Sequence, residues 1–223
     1  MAINTVERVA ASATGSLIST QYCHMTKNAF LNPSLLFLVA ANIFCIWYYS
    51  EHPDGFSTIV WIYWFQSIII GLFNFLDLLT LKKFDAGTFK INGEPATDKN
   101  KGCIAWFFLV HYGAFHFGYA IFLLVQLGIS NLNSSVIMLV VAGFFVEGII
   151  SFRKQKAIEN VNPVSIGALF FLPYLRIVPM HLMILGPLFF GWQASTLFLL
   201  LKTGADVLAY LFYQHLYGRQ INE

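Results

Sequence analysis

The chain has 223 residues, 57% of them hydrophobic, 17% aromatic and only 11% charged, with a mean hydropathy of +0.66. Soluble domains carry roughly a quarter charged residues, so most of this surface is built to face lipid. A formal net charge of +2, with the lysines scattered rather than gathered in a stripe, excludes a nucleic-acid partner.

In chain order, residues 1–31 read as a cytoplasmic segment. They lack the charged start, apolar core and small-residue cleavage site of a removable signal, so the first span must direct insertion. Six stretches then approach the roughly 20 apolar residues that cross a bilayer. They run about Asn32 to Tyr49, Ser57 to Leu81, Cys103 to Gly128, Ser134 to Phe152, Tyr174 to Trp192 and Ala194 to Tyr217. Pro33 suits a first helical turn, where its missing N–H would have been unpaired. "EHPDG" (Glu51 to Gly55) is turn chemistry. Residues 82–102 form a solvated cytoplasmic loop with a short hairpin around "KINGEP". The apolar stretch 164–173, closed by Pro173, reads as an interfacial or re-entrant segment, with one long kinked fifth helix as the alternative. Residues 218–223 are a cytoplasmic tail.

The expected fold is therefore all-α: a polytopic membrane protein whose transmembrane domain, 32–217, is a bundle of six helices. Arg8, Lys27, Lys82, Lys83, Lys90, Lys99, Lys101, Arg153, Lys154, Lys156 and Arg219 all fall in the segments before span one, after spans two and four, and after span six. Lysine and arginine keep loops cytoplasmic, so both termini are placed inside. Trp47, Tyr48, Tyr49, Trp61, Trp64 and Trp192 mark an outer interface, Tyr213 and Tyr217 an inner one. Cys23 and Cys103 fall on the cytoplasmic side and Cys45 in the membrane, which predicts no disulfide.

Ionisable groups inside a bilayer are costly and point to the bundle interior. Gln66, His111, His116, His181, Lys202 and Asp206 fall near the midplane, with Glu147, Asp77 and Arg176 nearer the cytoplasm. His111 and His116 are five apart, about 140° around a helix, so they cannot chelate one metal together. Each imidazole is either hydrogen-bonded to a neighbouring helix or a metal, haem or proton-relay ligand; His181 at similar depth strengthens the joint case. Lys202 and Asp206, at i and i+4, share a face as a structural ion pair or as a proton or ion site, and Gly204 between them is expected to admit another helix. Arg176, with Tyr174, reads as a head-group or anion contact, the alternative being that Arg176 binds Glu147 or Asp77. Met180 and Met183 beside His181, and "CHM" at Cys23 to Met25, are soft clusters suited to copper, though methionines in helices more often only pack.

The set "WFQSIIIGLFN", "FFLVHYGAFHFGYAIF", "PYLRIVPMHLMILG" and "LKTGADVLAY" resembles a bacterial multi-pass membrane family catalogued as domain of unknown function 6498. The matching elements are His111, Tyr112, Gly113, Phe115, Pro173, Tyr174, Arg176, Ile177, His181, Lys202 and Asp206. The chain departs from it at Gln66, where the family has Glu, and at Tyr119, where the family has a second histidine. The resemblance implies a bacterial cytoplasmic (inner) membrane protein and no activity. Expected, then, is a buried polar site centred on His111, His181, Lys202 and Asp206, with Gln66 and Glu147, that handles a proton, a metal ion or a small ligand. Candidate metal ligands are His111, His181 and His116, with a metal ion or haem as the cofactor to look for. Two rivals stand beside this expectation. One is a proton-coupled small-solute transporter, and the other a non-catalytic scaffold or accessory subunit. The lipid bilayer is the one expected partner, with a homo-oligomer or a second subunit open.

Overall fold

The computed structural model describes residues 33–91, 93–159, 163–190 and 196–218. Among the described residues six helices carry the fold: α1 (Pro33–Glu51), α2 (Phe56–Thr80), α3 (Lys101–Gln126), α4 (Ser134–Glu159), α5 (Ile166–Phe190) and α6 (Thr196–Gly218). Four of them, α1 to α4, are long and apolar enough to cross a bilayer. Pro33 opens α1, and a 3-10 turn, Pro53–Gly55, reverses the chain into α2. After α3, Gly128 takes φ +63°, the left-handed conformation that closes a helix without a Cβ clash. Asn133 then caps α4: its Oδ1 accepts the Val136 N–H at 3.2 Å.

The helical stretch of α4 runs seven residues past Phe152, because the polar "RKQKAIE" continues the helix beyond the apolar part. The fifth helix differs more. Residues 166–173 form the first two turns of α5, which continues through Pro173 and Pro179 as one long helix, the alternative given above. Proline removes one N–H without stopping a helix whose other turns are packed; both prolines are buried here. The segment before α5 is held by two residues of parallel pairing, β1 (Phe84–Asp85) against β4 (Val164–Ser165). The hairpin expected around "KINGEP" is present as β2 (Lys90–Ile91) against β3 (Glu94–Pro95), with Gly93 at φ +87°.

α2 is the central helix, packed against α3, α4 and α5, while α6 packs on α1 and α5. Where it meets α3, Gly71 lets the Tyr112 ring lie directly on its backbone; where it meets α4, Gly148 receives the Phe73 ring. The exposure pattern is inverted relative to a water-soluble protein. Val110, Phe117, Val125, Met138 and Leu139 stand out at 69 to 74% exposure, whereas Asn42, Gln66, Asn74, His116, Lys202 and Asp206 are at 4% or less. Apolar surface outward and polar groups inward is the arrangement a hydrocarbon solvent selects.

Candidate functional site

Asn42 is the middle residue of α1, and Gln66 and Asp206 lie within two residues of the middle of α2 and α6. There the three helices build one polar knot. The Lys202 ammonium donates to Asp206 Oδ2 at 2.6 Å and to Gln66 Oε1 at 3.1 Å. Asn42 Nδ2 and Gln66 Nε2 donate to the same carboxylate oxygen at 3.3 and 3.4 Å. Asn42 Oδ1 in turn accepts from the hydroxyls of Tyr63 and Thr203, each at 3.4 Å. The ammonium also sits 4.8 Å from the centroid of the Tyr63 ring, on its electron-rich face. Asp206 Oδ2 thus takes three donors, while Oδ1, fully buried, has no partner among the described residues. A carboxylate this unevenly solvated has one oxygen for the cation and one left for a proton or an incoming donor.

Gly204 does not serve the close helix approach expected of it. Among the described residues no heavy atom lies within 4 Å of where its Cβ would stand. Close approaches over glycine fall elsewhere, at Gly71 and Gly148.

The imidazoles go elsewhere. His116, on the inward face of α3, donates from Nδ1 to the Tyr112 carbonyl at 2.9 Å, which leaves Nε2 to accept the Ser67 hydroxyl at 2.8 Å. The one proton of the Tyr112 hydroxyl is shared between Ser67 Oγ, 2.9 Å away, and the Ser67 carbonyl, 3.0 Å away. That is a closed ring of neutral hydrogen bonds between α2 and α3. His111 lies on an exposed face, stacked on Phe107, with Nδ1 2.7 Å from the Tyr174 hydroxyl. His181 pairs with the Tyr119 hydroxyl through Nδ1, its Nε2 being 3.1 Å away. Two histidine–tyrosine bridges, two turns apart, therefore join α3 to α5, and Phe115 lies between the His111 and His181 rings. The structure brings Gln66, Lys202 and Asp206 together and sets His111, His116 and His181 apart. Among the described residues, no three His, Cys, Asp or Glu side chains converge as a metal set would. Cys23 to Met25 and the side chains of Met180 and Met183 lie outside the described residues.

Arg176 and Tyr174 also part company, being two residues and so about 200° apart on α5. Tyr174 turns to His111, and Arg176 lines a cavity of about 240 Å³. Its wall takes Gln66, Ile69, Ile70, Phe73 and Asn74 from α2, the i, i+3, i+4 stripe of one helix face. Ser34, Phe37 and Leu38 come from α1, Phe144, Glu147 and Ser151 from α4, and Tyr210, Tyr213 and Gln214 from α6, with the exposed Lys154 at the rim. Glu147 accepts a short hydrogen bond from the Ser151 hydroxyl. Asn74, 4% exposed, has neither amide atom paired. Gln66 belongs to both the knot and the cavity, so the ion pair lies one side chain from the cavity wall.

Near Lys154 the bundle is tied by a second ionic group. Lys156 reaches Asp77 at 2.8 Å and Glu159 at 2.5 Å, and the Tyr213 hydroxyl donates to Asp77 at 2.8 Å. Asp77 is thus taken by Lys156 and not by Arg176.

Asn42, Tyr63, Thr203 and Asn74 were not singled out from the sequence. A neutral amide in mid-span, as at Asn42, was a usable signal; for Asn74 the signal was its place two turns beyond Gln66.

Helices of this length and apolarity, closed around a polar interior, are the build of a helical membrane protein. Residues 24–220 match the Family of unknown function (DUF6498), and the chain belongs to that family. No curated protein and no solved structure matches it.

Proposed function

We propose that this is a bacterial inner-membrane protein of six spans with both termini cytoplasmic, and that it handles a small polar ligand together with a proton. The cavity is the ligand site and the Lys202–Asp206 pair the proton site. One observation carries the reading: the Gln66 amide holds both partners of the buried ion pair while forming part of the cavity wall. A ligand that draws Gln66 away removes one donor from Asp206 and one acceptor from Lys202. The proton can then pass from the ammonium to the carboxylate, leaving a neutral amine and a neutral acid where two charges had been. It passes along the 2.6 Å hydrogen bond to Oδ2, and the unpartnered Oδ1 stays open to an incoming donor. α5 and α6 complete the six crossings, and the basic loops place the cavity rim at Lys154 on the cytoplasmic side.

Infrared spectroscopy of the reconstituted protein across a pH titration tests this. The expected result is a carboxylic-acid C=O band that Asp206→Asn removes. Persistence of the same band in the variant refutes the assignment. The second reading, a scaffold, is favoured by the closed His116–Ser67–Tyr112 ring, in which every polar group is spent on packing. Complete absence of an Asp206 band would select it.

A further inference from the structure

The chemistry of the cavity wall goes beyond "polar ligand". Arg176 on α5 and Glu147 on α4 line the same cavity, yet neither forms an ion pair among the described residues. The pairs found there are Lys101–Asp98, Lys156–Asp77, Lys156–Glu159 and Lys202–Asp206. Opposite charges left facing one space without meeting are costly in a bundle interior. On the same wall Asn74, almost wholly buried, offers an N–H donor and a carbonyl acceptor, both unused. Unsatisfied buried amide atoms are rare in folded proteins, and a pair of them calls for a partner. Phe37, Ile69, Ile70, Phe73 and Phe144 give the wall an apolar stretch beside its other polar residues. At about 240 Å³ the space lies just below the roughly 300 Å³ at which drug-sized sites begin, which limits the occupant to a small body.

We infer that the cavity takes a zwitterion bearing a primary ammonium and an oxyanion a few bonds apart, the ammonium on Glu147, the oxyanion on Arg176, and an apolar group against the phenylalanines. Asn74 serves both ends, donating from Nδ2 to the oxyanion and accepting the ammonium at Oδ1. This rests on the cavity being the ligand site. Two sources share the chemistry: a free α-amino acid with an apolar side chain, and the head group of an ethanolamine phospholipid.

Thermal unfolding of the full chain in phosphatidylcholine nanodiscs distinguishes them. L-Leucine, 4-methylpentanoate (the carboxylate alone) and 3-methylbutylamine (the ammonium alone) are added separately, and a parallel set of discs contains phosphatidylethanolamine. The expected result is a concentration-dependent rise in melting temperature with leucine or with phosphatidylethanolamine, and none with either single-charge analogue. A rise with leucine assigns the soluble source; a rise only with the lipid assigns the membrane. Arg176→Gln and Glu147→Gln should each weaken that response about tenfold or more, the usual worth of one charge-assisted bond. Asn74→Leu removes the amide without a charge and keeps the fold testable; it too should lose the response. Equal stabilisation by 4-methylpentanoate, or none by leucine and phosphatidylethanolamine alike, overturns the inference. If that happens while the infrared band of Asp206 is present and lost in Asp206→Asn, the ligand class falls and the proton site stands.

Discussion

At the scale of single residues, the Lys202–Asp206 pair shows how a membrane interior handles charge. Neither group is exposed beyond 2%, so each depends on the other and on the amides of Gln66 and Asn42. Removing one partner leaves an uncompensated buried charge, whereas removing both leaves no charge, only the Gln66 and Asn42 amides short of partners. Asp206→Asn should therefore lower the unfolding free energy in mild detergent by about 3–5 kcal/mol, while Lys202→Met with Asp206→Leu should cost less, about 1–3 kcal/mol, for the amides left without partners. Denaturant unfolding followed by tryptophan fluorescence measures both, and equal losses would contradict the pairing. This pair was legible in the sequence because i and i+4 on a helix fix a shared face without any knowledge of neighbours. His111 and His181 were grouped with it only by depth. Depth follows from counting residues, but the partner a side chain meets depends on helix rotation, and rotation sent both imidazoles to tyrosines on the α3–α5 seam.

Among the elements, α2 does most to organise the bundle, and its seams are set by glycines that admit rings. Gly71→Leu drives a side chain into Tyr112 and should cost about 2 kcal/mol, the usual range for overpacking, whereas Gly204→Leu faces open space and should cost nothing measurable. Melting temperatures of the two variants side by side check the contrast. The ionic tie behaves differently: Lys156 is the cation that Asp77 and Glu159, both about 1% exposed, share. Lys156→Met should destabilise by about 3 kcal/mol, and added salt should narrow the difference little because the acids are shielded from it. Helix existence and order were readable from apolar length alone. The start of α5 was not, since a proline in isolation reads as a stop, and only packing on both sides shows that the helix runs through Pro173.

For the whole molecule, the proposed threading makes a prediction that needs no ligand. With Cys23, Cys45 and Cys103 changed to Ser, a membrane-impermeant maleimide added to intact cells should label Asn131→Cys and leave Asp98→Cys unlabelled until the membrane is opened. The reverse pattern would invert the protein, and labelling of both from outside would break the even count of spans. A last consequence comes from the two-residue ribbon that joins Phe84–Asp85 to Val164–Ser165 across 80 positions of sequence. A nascent chain leaving the ribosome cannot close that clasp until its third and fourth passes have been made. The clasp therefore becomes available only after four helices have been made and before α5 and α6 follow, and a chain interrupted before residue 164 lacks the strand that closes it.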